Sequence, residues 1–92
     1  MIRSFKHKGL RRLFLKGDVS GVPPERVQKL RLLLADLHMA EQPADIKMQG
    51  IRLHPLRGDL AGCWSASITK NWRLIFRFED NEIWDVDLVD YH

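Results

Sequence analysis

The stretch NWRLIFRFEDNEIWDVDLV, residues 71 to 89, decides the fold. From Trp72 to Glu79 the apolar residues Trp72, Leu74, Phe76 and Phe78 fall at every second position. In an extended strand they share one face, and Arg73, Ile75 and Arg77 share the other. Asp80 and Asn81 tolerate left-handed backbone and suit a two-residue hairpin turn, after which Ile83 to about Val89 returns as a second strand. One face of this pair is apolar and needs a cover; the other carries arginines.

Working outward, Cys63 to Thr69 and Ile51 to His54 also read as strands, with Gln42 to Gly50 as a loop. His54 precedes Pro55, which keeps it extended. Ile2 to Phe5 suits a short strand. Two helices supply the cover. From Lys6 to Lys16, Leu10, Leu13 and Phe14 share one helical face while Lys8, Arg12 and Lys16, spaced by four, form a row on the opposite one. After the breakers GDVSGVPP, a second helix starts near Pro24 and runs to about His38, burying Val27, Leu30, Leu34 and Leu37. The pattern predicts an α+β domain over residues 1 to 92, with two N-terminal helices packed on one face of an antiparallel sheet.

Composition agrees with a small globular domain. Apolar content is 45% and charged content 29% over 92 residues, which excludes wholesale disorder. The longest uncharged stretch, Leu60 to Thr69, falls short of the roughly 20 apolar residues of a membrane span. With no apolar signal region after the basic start, a cytoplasmic protein without membrane contact is expected. The lone Cys63 reads as a strand residue. Net charge is +3, unevenly placed: residues 1 to 16 hold Arg3, Lys6, Lys8, Arg11, Arg12 and Lys16 with no acid, and acids dominate from Glu79 onward. A basic face of this kind is the footprint of a phosphate-rich partner.

Strand parity turns Arg73 and Arg77 to the open face, where planar guanidinium donors suit a phosphate or an oxyanion, as they equally suit solvent. Among the histidines, His7 and His38 read as helix-end residues. His54 and His92 stand closer to phosphate-binding arginines, with Arg57 just beyond His54. The chain ends on LVDYH, where Asp90, Tyr91 and His92 are either a wet end or part of a site.

Four segments, IRSFKHKGL, LHPLRGDLAGCWS, ITKNWRLIFRF and VDYH, resemble in order and spacing the HigB toxins of type II toxin-antitoxin modules. The resemblance implies the compact microbial-RNase fold of the RelE superfamily and a ribosome-dependent messenger-RNA endonuclease. It also implies a helix-turn-helix, HigA-like antitoxin through which alone operator DNA is contacted. The site it implies comprises His54, Arg57, Asn71, Arg73, Asp90, Tyr91 and His92, where the RelE branch proper relies on lysines, arginines and a C-terminal tyrosine.

These residues suit attack of an RNA 2′-hydroxyl on the adjacent phosphate, a reaction whose nucleophile lies within the substrate and which needs neither metal nor cofactor. His54 and His92 serve as base and acid in an order left open. Asp90 orients an imidazole or shares the base role, and Arg73 with Arg57 stabilises the phosphate. Tyr91 stacks on a base and Asn71 hydrogen-bonds one. Lys8, Arg12 and Lys16 are expected to dock on the 70S ribosome, which presents the message. Asp85 and Asp87 share a strand face but read as a solvated edge rather than a metal pair. Two rivals stay open: a ParE-like gyrase inhibitor on the same fold, and a non-catalytic nucleic-acid-binding domain.

Overall fold

The computed structural model describes residues 1–90. Tyr91 and His92, both expected site residues, lie outside the described residues. Helices α1 (Lys8–Lys16) and α2 (Val27–Met39) precede strands β1 (His54–Pro55), β2 (Cys63–Ser67), β3 (Trp72–Glu79) and β4 (Glu82–Asp90). Among the described residues these strands form one antiparallel sheet in the order β1-β2-β3-β4. Both helices pack on one face, giving the expected α+β fold.

Each helix starts where local chemistry permits. His7 Nδ1 accepts the Leu10 N–H at 3.1 Å, so α1 begins at Lys8, two residues later than the periodicity suggests. Satisfying one orphan N–H at a helix start is what a capping side chain does. Proline at the first turn leads into α2 through a short 3₁₀ turn, Pro24–Arg26, as its fixed φ allows. The helices bury Leu10, Leu13, Leu30, Leu33, Leu34 and Leu37 against Ala66, Leu74, Phe76, Ile83, Val86 and Leu88 from the sheet. Gly9 lets α1 approach the loop ahead of α2: a Cβ there would collide with the Gly21 carbonyl oxygen.

The β3–β4 hairpin follows the sequence closely. Asp80 (φ 52) and Asn81 (φ 63) both adopt left-handed backbone, the requirement of a tight hairpin turn that matches strand twist. Leu74 and Phe76 are fully buried, and Trp72 and Phe78 pack at the margin of the core. One irregularity interrupts β4: the register shifts between Ile75 and Arg77, where Asp85 takes φ 59, a bulge of the kind that re-aims side chains.

Three expected strands come out shorter. Residues 51 to 53 do not join the sheet, because Gly50 (φ 78) and Arg52 (φ 47) turn the chain. Ile51 instead plugs the core, and its carbonyl accepts the Ser67 N–H at 2.5 Å. Ile68 and Thr69 leave β2 because their N–H groups bond the Trp72 carbonyl in a turn. Ile2 and Phe5 form isolated parallel bridges to Ile83 and Val86, so the first residues brace β4 without forming a full strand.

Candidate functional site

The open face of the sheet is built by register. His54 pairs with Ser65, Ser65 with Ile75, and Ile75 with Asp87, one row across four strands. The next row is Ser67, Arg73 and Val89. Because alternate residues point the same way, His54, Ser65, Ser67 and Arg73 rise from one side. They meet: Arg52, His54, Leu56, Ser65 and Arg73 line a hollow of about 240 Å³.

Arg73 is half-buried, and its Nη1 donates to Ser67 Oγ at 2.5 Å, which fixes the guanidinium plane. His54 is exposed, with Nδ1 3.3 Å from the Pro55 carbonyl oxygen. Ser65 is 1% exposed, yet its Oγ has no hydrogen-bond partner among the described residues. Leaving a buried hydroxyl unsatisfied costs free energy, and this one lies in the wall of the same hollow. The combination is an imidazole, a guanidinium and a hydroxyl around a space open to solvent. Such a set can bind an oxyanion and exchange a proton with it.

Other expected site residues stand further out. Arg57 is exposed at the start of the 3₁₀ turn Gly58–Leu60, beyond the residues that line the hollow. Asn71 is exposed in the β2–β3 turn, its N–H donating to Thr69 Oγ1 at 3.3 Å. Asp90 pairs with Trp72, one register step beyond the Arg73–Val89 pair, and is exposed. Lys8, Arg12 and Lys16 are exposed on α1, and together with Lys6 and Arg11 they border a separate hollow of about 440 Å³. Arg12 also faces Asp18 at 3.5 Å.

His7 and His38 are structural, as expected: His7 caps α1, and His38 Nδ1 accepts the Ile2 N–H at 3.2 Å while its ring lies 5.1 Å from Phe14. Asp85 keeps the expected contact with solvent, its side chain being 42% exposed, but it is also engaged. It accepts from Arg77 and Ser4, and Arg77 also pairs with Glu79 at 2.7 Å. These carboxylates, Glu79 foremost, raise the Arg77 pKa above its ordinary value, so this second arginine of β3 serves the bulge. No group of three or more His, Cys, Asp or Glu side chains suited to a metal gathers among the described residues.

Sequence reasoning missed Arg52 and Ser65. Arg52 lies two positions before His54, but its left-handed backbone takes it out of the strand in which that spacing would set both on one face, so the strand pattern could not reveal it. Ser65 carried no signal, since a serine facing outward from a strand is ordinary.

A family model described as RelE-like toxin of type II toxin-antitoxin system HigB matches residues 3–92. A protein of Proteus vulgaris named Endoribonuclease HigB is 41% identical over 92 residues, covering 100% of both chains.

Proposed function

The chain belongs to the HigB-like toxin family of type II toxin-antitoxin systems and is a toxin endoribonuclease, and from that premise we propose that it cleaves messenger RNA on the ribosome by attack of a 2′-hydroxyl on the adjacent phosphate. The observation that carries this reading is the hollow that His54 and Arg73 share with Arg52 and Ser65. We assign a division of labour, which the shared hollow of His54 and Arg73 favours for these two residues. Arg73, held by Ser67, stabilises charge on the phosphate as the leaving oxygen departs, with Arg57 in support. His54 moves one proton and His92 the other, in an order left open. Asp90 orients an imidazole or shares the base role, Tyr91 stacks on a base and Asn71 hydrogen-bonds one. The nucleophile belongs to the substrate, so this mechanism calls on no metal.

Membership of the type II class implies an antitoxin partner. We assign that partner a helix-turn-helix domain that carries the pair to operator DNA. The cationic row Lys8, Arg12 and Lys16 docks on ribosomal RNA. The relative's name favours RNA cleavage over inhibition of gyrase or passive binding.

Mapping message 5′ ends before and after a pulse of expression tests the reading. New ends should accumulate on translated messages and vanish in the Arg73→Ala variant. A message with a 2′-deoxy nucleotide at the scissile position should resist cleavage; its cleavage would overturn the transesterification mechanism.

A further inference from the structure

Beside the hollow of His54 and Arg73 lies a second one, of about 340 Å³. It is bounded by Gly50, by the β2–β3 turn, and by Lys29 reaching across from α2. Arg52 and Arg73 line both, so the two hollows adjoin at these residues. Lys29, Arg52, Lys70 and Arg73 contribute four cations to the second hollow, and no carboxylate among the described residues lines it. A cleft lined by one sign of charge focuses the field and concentrates the opposite charge.

Two local features hold this arrangement. Lys29 Nζ donates to the Ile68 carbonyl at 2.7 Å, which anchors one cation in the wall and ties α2 to the turn. Arg52 is exposed and takes φ 47. Left-handed backbone is unfavourable for a long side chain and persists where the surroundings require it, often at binding sites. Here it sets Arg52 on the boundary of the two hollows.

Resting on the endoribonuclease reading above, we propose that the second hollow is a phosphate subsite for the RNA strand next to the scissile linkage. Arg52 bridges the scissile phosphate and its neighbour, and Lys29 and Lys70 receive that neighbour. Among the described residues the hollow offers no imidazole or carboxylate to move a proton, so its contribution is to affinity and register.

Lys70 lines the second hollow and not the first, which separates subsite from chemistry. The full chain is titrated, by amide chemical shifts, with 2′-O-methyl oligoribonucleotides, a dinucleotide and a hexanucleotide. Lys70→Gln should weaken the hexanucleotide about threefold to tenfold and lower its salt slope by about 0.7, the loss of one single-strand contact. Dinucleotide affinity should not change. Arg52→Gln should weaken the hexanucleotide at least as much. On ribosome-bound message, Lys70→Gln should raise KM and leave kcat within about twofold. Unchanged hexanucleotide affinity in Lys70→Gln would overturn the proposal, as would an equal loss for both oligonucleotides. A wild-type chain that binds the hexanucleotide as described but cuts no message would overturn the nuclease reading and leave the phosphate subsite standing.

Discussion

Replacing Arg73 by alanine separates folding from chemistry, because its neighbour Leu74 points the other way. Arg73 is half-buried on the open face, and Leu74 is fully buried in the core. Truncating Arg73 removes its hydrogen bond to Ser67, a loss of about 1 kcal/mol. In a domain of this size that lowers the melting temperature by roughly 4 to 8 °C. Against a total stability of about 5 to 15 kcal/mol, the variant stays almost wholly folded at 25 °C. The effect on cleavage is of another order. A donor aimed at charge that develops in the transition state is worth about 2.7 to 4 kcal/mol, or roughly a hundredfold to a thousandfold in rate.

Leu74→Ala should do the reverse, costing about 2 to 5 kcal/mol of stability through the cavity it leaves. Arg73→Lys keeps the charge but not the planar fork and should recover only part of the rate. Single-turnover cleavage of ribosome-bound message is measured beside thermal unfolding of each variant. If Arg73→Ala is folded and cleaves within about threefold of the wild type, Arg73 is not a transition-state donor. If it melts below Leu74→Ala, the assignment of faces is inverted.

Gly9→Ala should destabilise by about 1 to 3 kcal/mol in urea denaturation despite alanine's better helix propensity, because the new Cβ collides with the Gly21 backbone. The Asp45 carboxylate accepts the Glu41 and Gln42 N–H groups, and these bonds, that of Glu41 foremost, hold its pKa below the ordinary 3.8. A depressed carboxyl contributes stability that is present above about pH 4 and lost as pH falls through the folded value. Urea titrations should therefore show Asp45→Asn less stable at neutral pH and flatter on the acid side. Reversing the charges of Lys8, Arg12 and Lys16 should weaken co-sedimentation with ribosomes and reduce its salt dependence, with the melting temperature nearly unchanged since all three are exposed.

The hairpin from Trp72 onward was legible because two independent signals agreed there: alternation, and a turn that only left-handed residues fill. Helix faces were legible for the same reason, each apolar stripe having one place to go. Arg52 was not, since its strand-like surroundings hid a left-handed residue that ends the strand. The bulge at Asp85 was equally hidden, and with it the ion-pair network that engages Arg77 on the open face. Both are choices of tertiary packing over local pattern, where nearest neighbours in sequence carry little information. Of the expected site, His54 and Arg73 are brought together, whereas Arg57 and Asn71 stand on turns around them.

The core fixes how well these groups are aligned, and does so unequally. Ala66, Leu74 and Leu88 pair across three strands beneath the row that carries Arg73. A slip of one residue would push Arg73 into the core and Leu74 out of it, which the burial of a charge forbids. Arg73 is therefore held as firmly as the core itself. His54 is not. Its strand has two residues, Pro55 donates no hydrogen bond, and the next tie is the Leu56 N–H to the Cys63 carbonyl at 2.9 Å. Local opening is easiest where such bonds are few and exposed. Loosening the loop after β1, for example with Leu56→Gly, should therefore slow cleavage while moving the melting temperature little. A large fall in melting temperature from that change would show that the edge strand, and not the Leu74 row, governs the register of the site.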